Sequence, residues 1–263
     1  MNKEIKVQGL KIRYAQRGNG TPLLILHGWG GSSKSWEKVI DILSNKYMVI
    51  CPDLPGFGES DTPKEVWNIN KYMYFVLDFL KAVHIEDFIL LGHSFGGGLS
   101  TKITAENPRI VQKLILCNAA VVRAKERLSL RQRIARRSAR IMKPFVNNKF
   151  YKEKIQPRLS PIVYKIAGSY DYFSANDIMK KTFKKIFAED LRAYGTYIKK
   201  PTLVVWGEND KITPIEDAYA IKNIIDGAEL NVVEGVGHAP HLKKPEELSQ
   251  IIIQFLNKTE WIF

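Results

Sequence analysis

The amino-acid sequence predicts an α/β fold in which helices cover both faces of a mostly parallel sheet. Apolar runs without polar alternation recur along residues 1–120 and again after residue 200, which is typical of strands buried on both faces. Segments with helical spacing separate these runs, as in a doubly wound sheet. The chain has 263 residues, 45% hydrophobic and 25% charged, and this length suits one large domain with a modest insertion.

The N-terminal half supplies most of the predicted strands. Residues Glu4–Gln8 and Lys11–Arg17 flank a Gly-Leu pair, which indicates an antiparallel hairpin. Buried-strand patterns and helical patterns then alternate up to Ala120. The predicted strands are Pro22–Leu26, Tyr47–Cys51, Phe88–Leu91 and Leu114–Cys117, and the predicted helices are Lys34–Ser44, Asn70–Val83 and Gly97–Glu106.

The alternation stops after Ala120 and resumes at Pro201. Residues 121–198 are basic, aromatic and mostly helical in pattern, so they are predicted as a helical lid inserted into a core of residues 1–120 and 199–263. The remaining predicted elements are the strand Thr202–Trp206, a helix near Ile215–Ile225, the strand Glu229–Val233 and a last helix from Glu246 to Leu256.

The positive charge is concentrated in the predicted lid. Residues 123–200 hold 21 Lys and Arg against 6 Asp and Glu, whereas the rest of the chain holds 19 against 21. Residues 129–142 have the spacing of a basic amphipathic helix. We favour a solvated outer face of a cap; the alternative is a surface that attracts anionic substrates or anionic membranes. Nucleic acid is not expected as a partner, because no stacking motif or binding fold accompanies the charge.

The most informative motif is Gly92–Gly96, which reads Gly-His-Ser-Phe-Gly between a strand and a helix. Gly-x-Ser-x-Gly in that context forms a sharp turn that raises the serine Oγ above the sheet edge. The two glycines leave room in the turn, and the following helix directs the positive end of its dipole at the serine. Ser94 is therefore the predicted nucleophile.

A serine hydroxyl needs a histidine base that a carboxylate orients. His238 follows the last apolar strand in a glycine-rich loop and is the preferred base, with His241 as the alternative. Of the other histidines, we expect His27 to brace a turn, His84 to be exposed and His93 to point away from the nucleophile.

The orienting acid is expected at the carboxyl end of a strand, where open α/β sheets place their sites. Asp210 follows the strand Thr202–Trp206 and is preferred over its neighbour Glu208. The strand ending at Cys117 is followed by Asn118, so no carboxylate is available there.

An oxyanion hole would need two backbone amides beside the serine. The residue after the nucleophile, Phe95, supplies the first. The glycine-rich loop His27–Gly31 follows a buried strand, and the amide of Trp29 in this loop is the predicted second donor.

Taken together, these motifs resemble the α/β-hydrolase fold superfamily in its lid-bearing branch, over residues 22–120 and 199–257. The resemblance implies an eight-stranded, mostly parallel sheet, a triad in the order Ser94, Asp210, His238, and no metal or organic cofactor. It also implies that Asp53 braces a loop. The matching segments are His27–Gly31, Asp53–Ser60, Gly92–Gly97, Trp206–Asp210 and Gly237–Pro240.

The expected activity is hydrolysis of a small-molecule ester, or a similar acyl compound, through an acyl-enzyme. The same triad also serves carbon–carbon bond hydrolases and perhydrolases, and a non-catalytic ligand receptor is a further alternative. Relatives that open epoxides or cleave carbon–halogen bonds use an aspartate nucleophile, which Ser94 excludes. No oligomeric state is predicted.

Two further features concern the cellular setting. Cys51 and Cys117 lie in apolar runs and are predicted to be buried thiols, neither a disulfide nor metal ligands. No run of 18 apolar residues occurs, and the first residues lack the apolar core of a signal peptide, so a cytoplasmic location is expected.

Overall fold

The computed structural model describes residues 2–122 and 176–258. The chain divides into two compact units, one of Met1–Val122 with Asp190–Phe263 and the other of Arg123–Glu189. Residues 190–198, which the sequence analysis placed in the lid, therefore belong to the first unit. The predicted basic helix at 129–142 lies outside the described residues.

The described residues of the first unit form an eight-stranded sheet in the order β1-β2-β4-β3-β5-β6-β7-β8. β1 and β2 form the predicted antiparallel hairpin, β2 is also antiparallel to β4, and the other neighbouring strands are parallel. The strands are β1 (Asn2–Val7), β2 (Leu10–Arg17), β3 (Pro22–Leu26), β4 (Met48–Pro52), β5 (Phe88–His93), β6 (Val111–Cys117), β7 (Thr202–Gly207) and β8 (Glu229–Val233).

Helices lie on both faces of this sheet. α1 and α8 share one apolar cluster with alternate residues of the central strands, while α3 contacts β5 and β6 without entering that cluster. No helix within residues 2–122 or 176–258 is long and apolar enough to cross a membrane. In chain order the helices are α1 (Glu37–Leu43, after a 3-10 turn at Ser33–Trp36), α2 (Ile69–Ala82), α3 (Phe95–Glu106), α4 (Asp177–Ile186), α5 (Arg192–Gly195), α6 (Ile215–Ile224), α7 (Pro240–Lys243) and α8 (Pro245–Leu256).

The predicted α/β class and mostly parallel sheet are confirmed, and the differences lie at element ends and in two short helices. β5 continues to His93 and α3 begins at Phe95, so one residue separates strand from helix. The short helices α5 and α7 were not predicted, because a four-residue helix is too brief to show a 3.6-residue periodicity. α4 belongs to the second unit, and Asn176 caps its first turn by accepting a hydrogen bond from the Met179 amide.

Both cysteines are buried, free thiols, as predicted. Burial raises the pKa of Cys51 and of Cys117, and the nearby carboxylates of Asp53 and Asp210 respectively act in the same direction. The two side chains therefore remain protonated and serve as small apolar groups in the core.

The turn between β5 and α3 is closely packed against the neighbouring backbone. Ser94 has φ 51° and ψ −115°, outside the regions that L-residues prefer. A Cβ added at Gly96 would lie 2.1 Å from the carbonyl oxygen of Leu26, and one at Gly92 would lie 2.3 Å from the carbonyl oxygen of Gly96. The start of α3 thus rests directly on the end of β3, which only residues without a side chain permit.

We expect Gly96→Ala to lower the free energy of unfolding by about 3 kcal/mol, because neither backbone segment can retreat from the new methyl group. Gly227 provides the control: it has φ 68° and open space around it. Gly227→Asn should cost less than about 1 kcal/mol, since asparagine tolerates that conformation. Urea unfolding of both variants measures the difference, and equal costs would contradict the packing argument.

Candidate active site

The structure brings Ser94, Asp210 and His238 together from three separate segments. Ser94 lies between β5 and α3, Asp210 follows β7, and His238 follows β8. His238 Nε2 is 2.9 Å from Ser94 Oγ, and His238 Nδ1 is 2.7 Å from Asp210 Oδ2. The three strands are parallel, so their carboxyl ends meet at one edge of the sheet.

The charge of Asp210 determines which nitrogen of His238 carries the proton. Burial raises the pKa of Asp210, but hydrogen bonds and charge from His238, with hydrogen bonds from Thr213 and Asn118, outweigh burial and lower it overall. An ionised carboxylate can only accept, so Nδ1 of His238 donates to it. Nε2 is then free to accept the hydrogen bond from the Ser94 hydroxyl.

Asp210 is held by side chains that the sequence analysis did not assign to the site. Its Oδ1 accepts from the amides of Ile212 (2.7 Å) and Thr213 (3.0 Å). Its Oδ2 accepts from Thr213 Oγ1 and from Asn118 Nδ2, each at 2.6 Å. Asn118 was passed over because it is not an acid, although a polar residue at the end of the adjacent strand is well placed to contact one.

Glu208, the alternative acid, faces a different part of the site. Its side chain is exposed, and its Oε2 accepts from the amide of Gly235 at 3.0 Å. The amide of Asn209 also donates to the carbonyl oxygen of Val236 at 2.8 Å. Glu208 therefore anchors the loop that leads to His238, while Asp210 contacts the imidazole.

The alternative base, His241, is a buried neighbour of His238. Its ring is buried and stacks on Trp36 at a centroid distance of 4.4 Å and an interplanar angle of 3°. Burial lowers its pKa from 6.5 to about 3, and the neighbouring His238 and His27 add to the effect. His241 is therefore neutral and part of the packed core.

His93 makes a contact that the sequence analysis did not predict. Its side chain was expected to point away from the nucleophile, and its Nε2 lies 2.7 Å from the carbonyl oxygen of His238. The chain leaves the extended conformation at Ser94, and the side chains of residues 93 and 94 both approach His238. Burial, followed by the proximity of His241 and His238, holds the pKa of His93 well below its ordinary value.

The remaining histidines are placed as expected. His27 Nε2 accepts from the amide of Leu54 at 2.9 Å, and its Nδ1 lies 2.8 Å from the carbonyl oxygen of Gly28, so the ring braces the turn after β3. Burial lowers the pKa of His27, which keeps the ring neutral. His84 is exposed in the connection between α2 and β5.

The predicted oxyanion-hole residues lie on the loop and helix beside the nucleophile. A Cβ added at Gly28 would be 3.2 Å from Ser94 Cβ, so the loop that carries Trp29 lies against the serine. The rings of Trp29 and Phe95 meet edge to face at 5.7 Å. The use of their amides as oxyanion donors stays a prediction.

Asp53 braces the two loops that follow β3 and β4. Its carboxylate accepts from the amides of Ser33 (2.6 Å) and Glu59 (2.9 Å), and it is buried. A Cβ at Gly58 would collide with its Oδ2 at 2.1 Å. Asp53 thereby ties the loop after β4 to the segment that follows the glycine-rich loop.

Comparison with known proteins agrees with this fold. A family model described as the alpha/beta hydrolase fold matches residues 21–245. The chain therefore belongs to the α/β-hydrolase family.

Individual relatives within this family differ in chemistry. The chain is 30% identical over 251 residues to Lipase 1 of Psychrobacter immobilis, covering 91% of this chain and 78% of the lipase. It is 26% identical to the 2-hydroxy-6-oxo-6-(2'-aminophenyl)hexa-2,4-dienoic acid hydrolase of Metapseudomonas resinovorans, covering 97% and 90%. The crystal structure of a membrane phospholipase A shares the fold, with a TM-score of 0.77 at 23% identity, over 98% of this chain and 86% of that one.

Removing the Thr213 hydroxyl is expected to lower the catalytic rate without changing the volume of the side chain. Thr213→Val keeps the volume but deletes the hydrogen bond to Asp210, so we expect kcat to fall roughly 10-fold and the pKa of Asp210 to rise. Thr104→Val is the matched control, because this buried hydroxyl donates only to Ser100 within α3. Ester hydrolysis by both variants decides, and equal kcat values would contradict the assignment.

The buried histidines should make the protein acid-sensitive. Below about pH 6.5 His241 is protonated in the unfolded chain but stays neutral in the folded protein. The stabilisation from His241 is therefore complete above pH 6.5 and is lost as pH falls towards 3. In that interval His241 alone contributes a slope of about 1.4 kcal/mol per pH unit. Urea unfolding between pH 7 and 4 measures it.

His241→Phe keeps an aromatic ring on Trp36 and removes one titrating proton. It should therefore lower that slope by about 1.4 kcal/mol per pH unit. His84→Asn, at an exposed position, should leave the slope as it is. An unchanged slope in His241→Phe would show that His241 is protonated in the folded protein.

Proposed function

We propose that the protein hydrolyses carboxylic esters or similar acyl substrates through an acyl-enzyme on Ser94. The observation that carries the proposal is the hydrogen-bonded chain from Ser94 through His238 to the ionised Asp210. An imidazole in this tautomer can remove the serine proton as the oxygen attacks a carbonyl carbon. Activation of an otherwise weak nucleophile is the chemistry that such an arrangement supports.

The proposed reaction passes through two tetrahedral intermediates. His238 Nε2 accepts the Ser94 proton during attack, and Asp210 stabilises the resulting imidazolium. The amides of Phe95 and Trp29 are assigned to the oxyanion. His238 then protonates the departing alkoxide. In the second half it takes a proton from the attacking water and returns that proton to Ser94 Oγ as the acid leaves.

The geometry at Ser94 favours attack from a preorganised position. The left-handed backbone of Ser94 stores strain that the surrounding contacts maintain, among them the hydrogen bonds from Gly98 and Ala120 to its carbonyl oxygen at 3.1 and 2.9 Å. The N-terminus of α3 begins at the next residue, so its dipole favours negative charge at the serine. The similarity to a protein named as a lipase supports an ester substrate.

Carbon–carbon bond hydrolysis is the second candidate. It is favoured by the similarity to the dienoic acid hydrolase of Metapseudomonas resinovorans, whose substrate name includes a carboxylate. For this candidate the basic segment 123–200, which carries 21 Lys and Arg against 6 Asp and Glu, is the proposed attractor of an anionic substrate or an anionic membrane surface; a solvated outer face of a cap is the interpretation that the sequence favours. Ester and carbon–carbon hydrolysis then differ in the substrate admitted rather than in the triad.

Hydrolysis of p-nitrophenyl esters from acetate to laurate tests the main proposal. We expect the wild type to turn over and Ser94→Ala to lose at least roughly 10³-fold in kcat, because the nucleophile is removed while binding remains. The chain length with the highest kcat/KM gives the size of the acyl site. Equal activity in the two proteins would refute Ser94 as the nucleophile.

A 2-hydroxy-6-oxohexa-2,4-dienoate serves as the competing substrate. Turnover of this dienoate at a kcat/KM above that of every ester would favour the carbon–carbon candidate. Absence of both activities, together with no labelling by a fluorophosphonate, would support a non-catalytic receptor.

A further inference from the structure

His93 is a buried side chain that the proposed reaction does not use. It is the last residue of β5, directly before the nucleophile, and only 6% of its surface is exposed. Its Nε2 lies 2.7 Å from the backbone carbonyl oxygen of His238. This contact connects the strand that ends directly before Ser94 to the loop that carries the proposed base.

We infer that His93 is a positioning residue for His238: its Nε2–H donates to the His238 carbonyl oxygen and holds the imidazole within hydrogen-bonding distance of Ser94. The inference rests on the proposed function, because positioning matters for a reaction in which His238 is the base.

The direction of this hydrogen bond follows from the chemistry of the two groups. A carbonyl oxygen can only accept, so the proton must be on Nε2 of His93. Burial and the adjacent imidazoles of His241 and His238 lower the pKa of His93, so the ring is neutral and carries a single proton. That proton is committed to the His238 carbonyl, so Nε2 of His93 cannot itself accept the proton of Ser94.

The loop that carries His238 needs such a contact. It contains two glycines, Gly235 with φ 68° and Gly237, and glycine leaves the backbone many accessible conformations. Glu208 and Asn209 hold the loop at residues 235 and 236, before the base. His93 acts at residue 238 itself, where a small rotation of the backbone would swing the imidazole away from Ser94.

The ring of His93 is itself held by its neighbours. Its centroid lies 4.5 Å from that of His241 and 6.0 Å from that of Trp36, and these two rings stack on each other. The ring also requires glycine at position 28, since a Cβ there would be 2.8 Å from His93 Nδ1. Packing therefore restricts the rotamer of His93 and fixes the position of its Nε2 donor.

The test compares three substitutions of His93 that differ in the donor they offer. Gln places an amide nitrogen near the position of Nε2, Asn carries the same group on a shorter stem, and Met has nearly the volume of Gln but no donor. We expect His93→Met to lower kcat roughly 10- to 100-fold with KM close to wild type, because the base is misplaced but the acyl site is intact. Gln should recover most of kcat, and Asn should fall between them.

Two readouts do not depend on the substrate. The first is the rate at which a fluorophosphonate labels Ser94, which should follow the order wild type, Gln, Asn, Met. The second is the downfield NMR signal of the His238 Nδ1 proton shared with Asp210, which should broaden in Met and sharpen again in Gln. His84→Gln is the control, because this exposed histidine undergoes the same substitution outside the site.

Equal labelling rates for Gln, Asn and Met, or an unchanged Nδ1 proton signal in Met, would overturn the inference. If His93→Met does not fold, as thermal unfolding would reveal, the comparison of Gln with Asn decides in the same way. If the wild type neither cleaves esters nor reacts with the fluorophosphonate, the proposed function fails, and the NMR signal alone then tests whether His93 positions His238.

Discussion

The hydrogen bond between the buried Asp210 carboxylate and Nδ1 of His238 is the interaction on which the site depends. Because the carboxylate is ionised, it determines the tautomer of His238 and thereby leaves Nε2 to accept from Ser94. Burying that charge is costly unless donors surround it. Asn118 and Thr213, with backbone amides after β7, supply those donors, so a large part of the sheet edge is organised around one carboxylate.

A second constraint is the neutrality of the other buried imidazoles. His27, His93 and His241 are all buried, and burial lowers the pKa of each. Each neutral ring bonds or stacks with its surroundings: His27 with the backbone after β3 and β4, His93 with the His238 carbonyl, and His241 with Trp36. The proposed base is thus the histidine that meets both a carboxylate and a hydroxyl, and the others form its support.

Much of the core and the candidate triad could be predicted from the sequence because both rest on local patterns. Buried parallel strands appear as continuous apolar runs, and β3 and β8 were predicted at their observed bounds. Asn118, Thr213 and the contact from His93 to His238 could not be predicted in this way. Asn118 and His93 act across strands that are distant in sequence. Thr213 lies only three residues after Asp210, but its residue type does not indicate its partner.

The sequence by itself determined the class of the fold, the strand–turn–helix at Ser94 and the order of the three polar residues along the chain, because these depend on periodicity and on glycine spacing. The tertiary structure decided between Glu208 and Asp210 as the residue that meets His238, and it turned His93 towards the loop of that histidine. The physical reason is that the distance between two side chains depends on strand register and on the direction of the chain at a single left-handed residue, which no local pattern encodes.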